Sequence, residues 1–167
     1  DGYIAVYGVY QYASDSDCFQ PLMEEFQRRY HKYPKYPVAD AGYGNLNNYL
    51  YCEEHGMEKY MKFPMYEKET KDKKYQEDPY RAVNFRVNKE GRLVCPNDKE
   101  FLFLRTEPVK GNQYGRQLEV YQCEDCSDCP HRSKCHKSRF DRIIRLNYEL
   151  TSFHKEVLDN LNSIHGA

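Results

Sequence analysis

Pro37-Val38-Ala39-Asp40-Ala41-Gly42-Tyr43-Gly44 decides the fold of this 167-residue chain. Val38 and Ala39 read as a very short strand, and Asp40 closes it ahead of two glycines and a helical stretch from about Asn45 to Glu54. Strand, glycine turn and helix in that order belong to a mixed α/β domain. An acid at the carboxyl end of such a strand stands where open α/β sheets place ligand and metal contacts. Gly42 and Gly44 let the backbone turn sharply and keep the carboxylate uncrowded. The same residues also suit an aspartate that caps a turn or a helix, and from these residues alone both readings stand.

Outward from this block, Tyr3-Ile4-Ala5-Val6-Tyr7-Gly8-Val9-Tyr10 is largely β-branched and aromatic, which predicts a strand or a bent pair of strands buried on a sheet. Asp15-Ser16-Asp17 offers N-caps to a helix from Cys18 to Tyr30, where Phe19, Leu22, Met23 and Phe26 recur at helical spacing. The prolines of Tyr33-Pro34-Lys35-Tyr36-Pro37 end it. His55-Gly56 stops the helix after Asp40, and Met57 to Phe63 alternates as a further strand. From Pro64 to about Phe140 the chain turns charged and glycine-punctuated, with short strands predicted at 82–87, 92–94, 101–105 and 117–122. From Asn147 to Leu161 helical periodicity returns, with Leu150, Phe153, Val157, Leu158 and Leu161 on one face. The organisation read from this is a partial α/β core at 1–63, a β-rich insert at 64–140 and a helix returning to the core at 141–167.

Four cysteines fall within thirteen residues, Cys123, Cys126, Cys129 and Cys135, and Cys95 precedes them in Leu93-Val94-Cys95-Pro96-Asn97. A Cys-x-x-Cys turn grips one Zn²⁺ and a second pair closes the tetrahedron. The spacing favours Cys95, Cys126, Cys129 and Cys135, with Cys123 as an alternative ligand. Four sulfur ligands leave no open position, so such a zinc is structural rather than catalytic. Disulfides fit less well, because the cysteine count of seven is odd and Cys18 and Cys52 stand alone. An iron–sulfur cluster remains a competitor, since thiolates alone do not separate the metals.

Composition bounds the function further. The net charge is −1, with 17 Tyr and no Trp, so much of the apolar area is aromatic with a polar tip, suited to a core edge or a binding face. No apolar run approaches the roughly 20 residues that span a bilayer, which predicts no membrane segment and a reducing, cytoplasmic setting. Overall neutrality argues against steering of the whole domain toward nucleic acid. Locally, Arg132, Lys134, Lys137, Arg139, Arg142 and Arg145 meet a single acid, Asp141. Such a cluster suits DNA phosphates, or else forms an ordinary solvated loop.

The segment around Asp40 also resembles, together with much of the chain, the bacterial insertion-sequence transposases of the DDE class. The resemblance runs in order through Pro37 to Gly44, Asn48-Tyr49-Leu50, Gly56, Tyr60-Met61-Lys62-Phe63-Pro64-Met65-Tyr66, Asp78-Pro79 and Asn84-Phe85. It continues through Leu93 to Asn97, Tyr121, Cys126-Ser127-Asp128-Cys129-Pro130, Ser133-Lys134-Cys135 and Asn160-Leu161-Asn162-Ser163. It implies a ribonuclease-H-like core in which three acids bind two Mg²⁺ ions for DNA strand cleavage and transfer, with Asp40 as the second acid. It implies DNA as partner, a bacterial, nucleoid-associated protein, and a cysteine-rich zinc insert between the second acid and the third. Self-association of the complete transposase stays open.

Against that pattern, the first and third acids lack counterparts. Asp1 and Asp17 are poor substitutes for the first, and Glu149 and Glu156 stand in the wrong context for the third. The expectation is therefore a transposase fragment that does not cleave DNA alone. Two other readings compete with it. One is a zinc-stabilised nucleic-acid-binding module without catalysis, and the other a structural zinc domain that binds a protein.

Overall fold

The computed structural model describes residues 2–163, so Asp1 lies outside the described residues. Its architecture is mixed α/β, with helices and three small sheets, as expected and consistent with a ribonuclease-H-like core. The chain divides into two compact units. One is built on the described parts of Asp1–Tyr66, Asn112–Tyr114 and Glu149–Ala167, the other on Glu67–Gly111 and Gly115–Tyr148.

In the first unit a 3₁₀ turn, Asp15–Cys18, leads into α1 (Phe19–Tyr30). The expected caps Asp15 and Asp17 lie inside that turn, whose backbone closes by Asp17 N–H donating to the Ser14 carbonyl at 3.1 Å. Strand β1 (Val38–Ala39) pairs in parallel with β2 (Tyr60–Met61), Val38 beside Tyr60 and Ala39 beside Met61. Between them runs α2 (Leu46–Glu54), capped by Asn45, whose side chain accepts from the Asn48 amide at 3.0 Å. Gly56 at φ +65° ends the turn that follows it, a conformation glycine adopts without strain.

The core of this unit packs Tyr49, Met61 and Phe63 with Phe153 and Val157 of α6, which spans Tyr148–Leu161. Tyr49 donates its hydroxyl to the Met61 carbonyl at 3.0 Å, so a buried polar tip is satisfied on β2. The Lys59 ammonium is buried between Glu53 and both carboxylate oxygens of Glu156, the latter at 3.0 Å, and lies over the Phe153 ring. Burial opposes its charge, yet the bonds to Glu53 and Glu156 outweigh that and raise its pKa. Asn160 fastens the same point by donating to the Lys59 carbonyl at 3.0 Å.

The expected strand Tyr3–Tyr10 does not form. This stretch carries no strand pairing, and Tyr3, Ile4 and Val9 are exposed. β propensity reports the fit of a side chain to a pleated, half-buried surface, and this segment pairs with neither strand of the described β1–β2 sheet.

The second unit opens with two short helices, α3 (Tyr66–Lys71, whose first residue belongs to the first unit) and α4 (Lys73–Gln76). The predicted strand at 82–87 resolves into a 3₁₀ turn, Ala82–Asn84, and β3 (Arg86–Val87), antiparallel to β4 (Leu93–Val94). Strands β5 (Phe101–Pro108) and β6 (Gln117–Cys123) make a hairpin with an irregularity between Phe103 and Arg105. A short helix α5 (Arg132–Cys135) precedes β7 (Ile143–Leu146), which pairs antiparallel with β6. The sequence reading assigned no strand at β7 and set a boundary at 140. Because β7 completes the three-stranded sheet, the second unit extends to Tyr148. Its core is Phe85, Cys95, Phe101, Cys123, Cys126 and Ile144.

Gly44 supplies a test of this frame. A Cβ there would lie 2.0 Å from the Lys62 carbonyl oxygen and 2.6 Å from the Tyr49 hydroxyl, so the turn after Asp40 presses directly on the end of β2. Gly44→Ala is expected to destabilise the first unit by about 2 kcal/mol or more. Thermal unfolding followed by circular dichroism checks it, and an unchanged midpoint would mean that this close approach is absent.

Candidate functional site

Asp40 directly follows β1 with its side chain exposed to solvent. One carboxylate oxygen, Oδ1, accepts the Gly42 amide at 2.9 Å, and the Asp40 carbonyl accepts the Tyr43 amide at 3.2 Å. The turn thus fixes the carboxylate through one oxygen. Oδ2 makes no hydrogen bond among the described residues. That geometry suits a turn aspartate and equally a carboxylate with one oxygen free for a hard cation. The other acids weighed from sequence are placed elsewhere: Asp17 lies in the 3₁₀ turn before α1, and Glu156 is committed to Lys59. Among the described residues, no group of three or more His, Cys, Asp or Glu side chains is arranged to hold a metal ion.

The cysteines are brought together. Cys95, Cys123, Cys126, Cys129 and Cys135 all line one small cavity of about 10 Å³, with Phe101, Asp125, His136 and Arg142 among its other walls. This is room for about one small species. Hydrogen bonds distinguish the sulfurs. Cys95 sits in a tight turn in which its carbonyl accepts the Asp98 amide at 3.0 Å and its sulfur accepts the Asn97 amide at 3.4 Å. Cys126 Sγ accepts the Arg142 amide at 3.5 Å, and Cys135 Sγ accepts Arg142 Nη1 at 2.9 Å. Cys123 instead donates toward the Asp125 carbonyl at 4.0 Å. Burial, and next the hydrogen bond with Cys126, push the Cys123 thiol up to about 12. Cys95, Cys126 and Cys135 thus each accept an N–H bond at sulfur, whereas Cys123 does not. Cys129 lines the cavity without a side-chain hydrogen bond among the described residues.

The six basic residues separate into two kinds. Arg132 staples the cysteine loop, donating Nη1 to the Cys126 carbonyl at 2.6 Å and Nη2 to the carbonyls of Ser138, Arg139 and Phe140 at 3.1, 2.7 and 3.4 Å. Arg142 spans from Cys135 to the Phe85 ring, 5.0 Å from its centroid. Arg145 pairs with Glu107 at 2.9 Å; that bond and one from Arg105 hold the Glu107 carboxyl below its ordinary range. Lys134, Lys137 and Arg139 are exposed, and their side chains have no partner among the described residues. The charge pattern alone could not separate stapling arginines from free cations, because both kinds share one dense stretch.

One residue escaped the sequence reading altogether. His136, next to Cys135, has both ring nitrogens buried with no hydrogen-bond partner among the described residues. Burial, then the positive charges of Arg132 and Arg142, lower its pKa and favour the neutral ring. A search confined to cysteine spacing passes over an adjacent imidazole.

Residues 94–167 match the family model described as the transposase DDE domain. The matched stretch contains every residue that lines the cysteine cavity and leaves Asp40 outside it. No curated protein and no solved structure matches the chain. Among the described residues, no helix is long and apolar enough to cross a membrane.

Arg132→Ala is expected to loosen the loop from Cys126 to Phe140 while leaving β1, β2 and α6 intact. Several backbone carbonyls lose a charged donor, a change on the order of 1–3 kcal/mol. Hydrogen exchange checks this, and unchanged protection across 123–142 would contradict the stapling role.

Proposed function

We propose that the chain is the part of a DDE transposase that carries the second catalytic acid, Asp40, and a zinc-braced, DNA-contacting module. The observation that carries this reading is the match of residues 94–167 to the transposase DDE domain. The position of Asp40 supports it: a carboxylate at the end of a parallel strand pair, held by Gly42 through one oxygen only. Divalent ions held by such acids supply activation of a water or a DNA 3′-hydroxyl and stabilisation of the leaving oxygen at the scissile phosphate. Asp40 contributes one metal contact. A single carboxylate does not hold two ions, so these 167 residues bind DNA without cleaving it.

In the second unit the cysteine cavity takes a structural zinc ion, with Cys95, Cys126, Cys129 and Cys135 as the ligands. What supports this is the donor set rather than a formed cage: soft sulfurs line one cavity and three of these four accept N–H bonds, while no group of three or more such side chains is already arranged around a metal position among the described residues. Cys123, which donates toward a carbonyl, remains a thiol. The exposed Lys134, Lys137 and Arg139 meet the DNA phosphates. A second reading, a zinc-stabilised nucleic-acid-binding module without catalysis, draws on the absence of companion acids around Asp40 among the described residues.

Two experiments test these assignments. Replacing Lys134, Lys137 and Arg139 together with Gln is expected to weaken duplex binding and to flatten the plot of log affinity against log salt by up to about 3 in slope. An unaltered slope would remove these residues from the interface. Millimolar Mn²⁺ is expected to broaden the amide resonances of Gly42 and Tyr43 in the wild-type chain and not in Asp40→Asn. Equal broadening in both proteins would leave Asp40 a turn residue and favour the second reading.

A further inference from the structure

Among the described residues, His136 is the one whose buried side-chain nitrogen or oxygen atoms are left without a partner. Both of its ring nitrogens are shielded from solvent, and neither bonds to any described group. A buried polar group in this state is costly, on the order of 1–3 kcal/mol, and native structures leave few of them. Arg132 and Arg142 are donors only, so they cannot accept the proton that one nitrogen of the neutral ring carries, and Asp141 is already held by the Cys126 amide at 2.8 Å and Gln122 Nε2 at 3.4 Å. Ser127 donates its amide and hydroxyl to Asp125 Oδ1 at 2.9 and 2.6 Å. Five of the residues that line the cavity with His136 are cysteines, so most of the side-chain acceptors on its wall are sulfur atoms. A neutral thiol accepts weakly, whereas a metal-bound thiolate is a strong acceptor that can take a further N–H bond. Cys135 already shows the pattern, since Arg142 donates to its sulfur at 2.9 Å.

We propose that His136 is a positioning residue of the zinc site, whose ring N–H donates to one of the ligand thiolates and completes, with Arg142, the donor layer around the four sulfurs. The inference rests on the zinc reading above. Four cysteines fill a tetrahedral shell, so the imidazole belongs outside that shell rather than in it. Its role is the outer-layer one of orienting a ligand and spreading the thiolate charge. Loss of such a partner lowers metal affinity by about 10–100-fold.

The test is zinc competition against a chromophoric chelator for the wild-type chain, His136→Leu and His136→Gln, with X-ray absorption at the zinc edge. The expected result is four sulfur scatterers in all three proteins, an affinity about 10–100-fold lower for His136→Leu, and recovery in His136→Gln, which keeps an N–H donor. In the Co²⁺-loaded proteins the sulfur-to-metal charge-transfer band is expected to move to lower energy in His136→Leu and to return in His136→Gln. Should the leucine variant fail to fold, the wild-type chain loaded with ¹¹³Cd decides. A His136 ring N–H resonance coupled through the hydrogen bond to cadmium supports the proposal, and its absence overturns it. Equal affinity in His136→Leu overturns it as well. Three sulfurs and one nitrogen in the wild-type protein would make His136 a ligand and overturn the positioning role while keeping zinc. A wild-type chain that takes up no zinc would instead overturn the zinc reading itself, and the inference with it.

Discussion

Sulfur replaces hydrocarbon in the middle of the second unit. Of the six buried residues that close its core, Cys95, Cys123 and Cys126 are cysteines, and the others are Phe85, Phe101 and Ile144. A unit this small gains little from so few apolar side chains, and small domains commonly need a disulfide or a metal to hold them. All seven cysteines are free thiols. The rest of the unit follows from keeping this sulfur cluster together: β6 delivers Cys123, the turn after β4 delivers Cys95, and Arg132 and Asp141 lock the loop between β6 and β7. Asp141 does so by accepting the Cys126 amide at 2.8 Å.

The first unit depends on a different contact, the close passage of the Gly44 backbone over the end of β2. It brings the Asp40 turn against Tyr49 and Met61, and the same layer receives α6 through Phe153, Val157 and the Lys59–Glu156 pair. Lys59 is buried while Glu156 and Glu53 are 40 and 62 % exposed, so the pair adds little net stability, and the buried ammonium keeps a second carboxylate if either acid is lost. Its value here is positional, since it ties residues 97 apart in sequence. Asp40 thereby follows directly on a paired strand end.

Much of this was legible in the sequence, and the failures have physical causes. The turn chemistry around Asp40, the helix from about Asn45 and the strands at 101–105 and 117–122 follow local rules, whereas the Asn45 cap and the pairing of those strands into a hairpin emerge only in the structure. Strand β7 was missed because Ile143-Ile144-Arg145-Leu146 is short and follows a run of bases that reads as loop. Tyr3–Tyr10 was overread, because such a run reports only that its side chains suit a pleated, half-buried surface, and here Tyr3, Ile4, Tyr7 and Val9 stay exposed. Spacing gathered the cysteines, but only the hydrogen bonds to each sulfur separate Cys123 from Cys95, Cys126 and Cys135. Likewise, charge density marked six cations, and only their bonding shows that Arg132, Arg142 and Arg145 are occupied.

The measurement that bears most directly on this account is elemental analysis of the purified chain beside a thiol titration, before and after a strong chelator. A closed zinc site predicts about one zinc per chain and about four thiols that become reactive only after chelation. Protein purified under reducing conditions that carries no zinc, with thiol reactivity identical before and after the chelator, would contradict it.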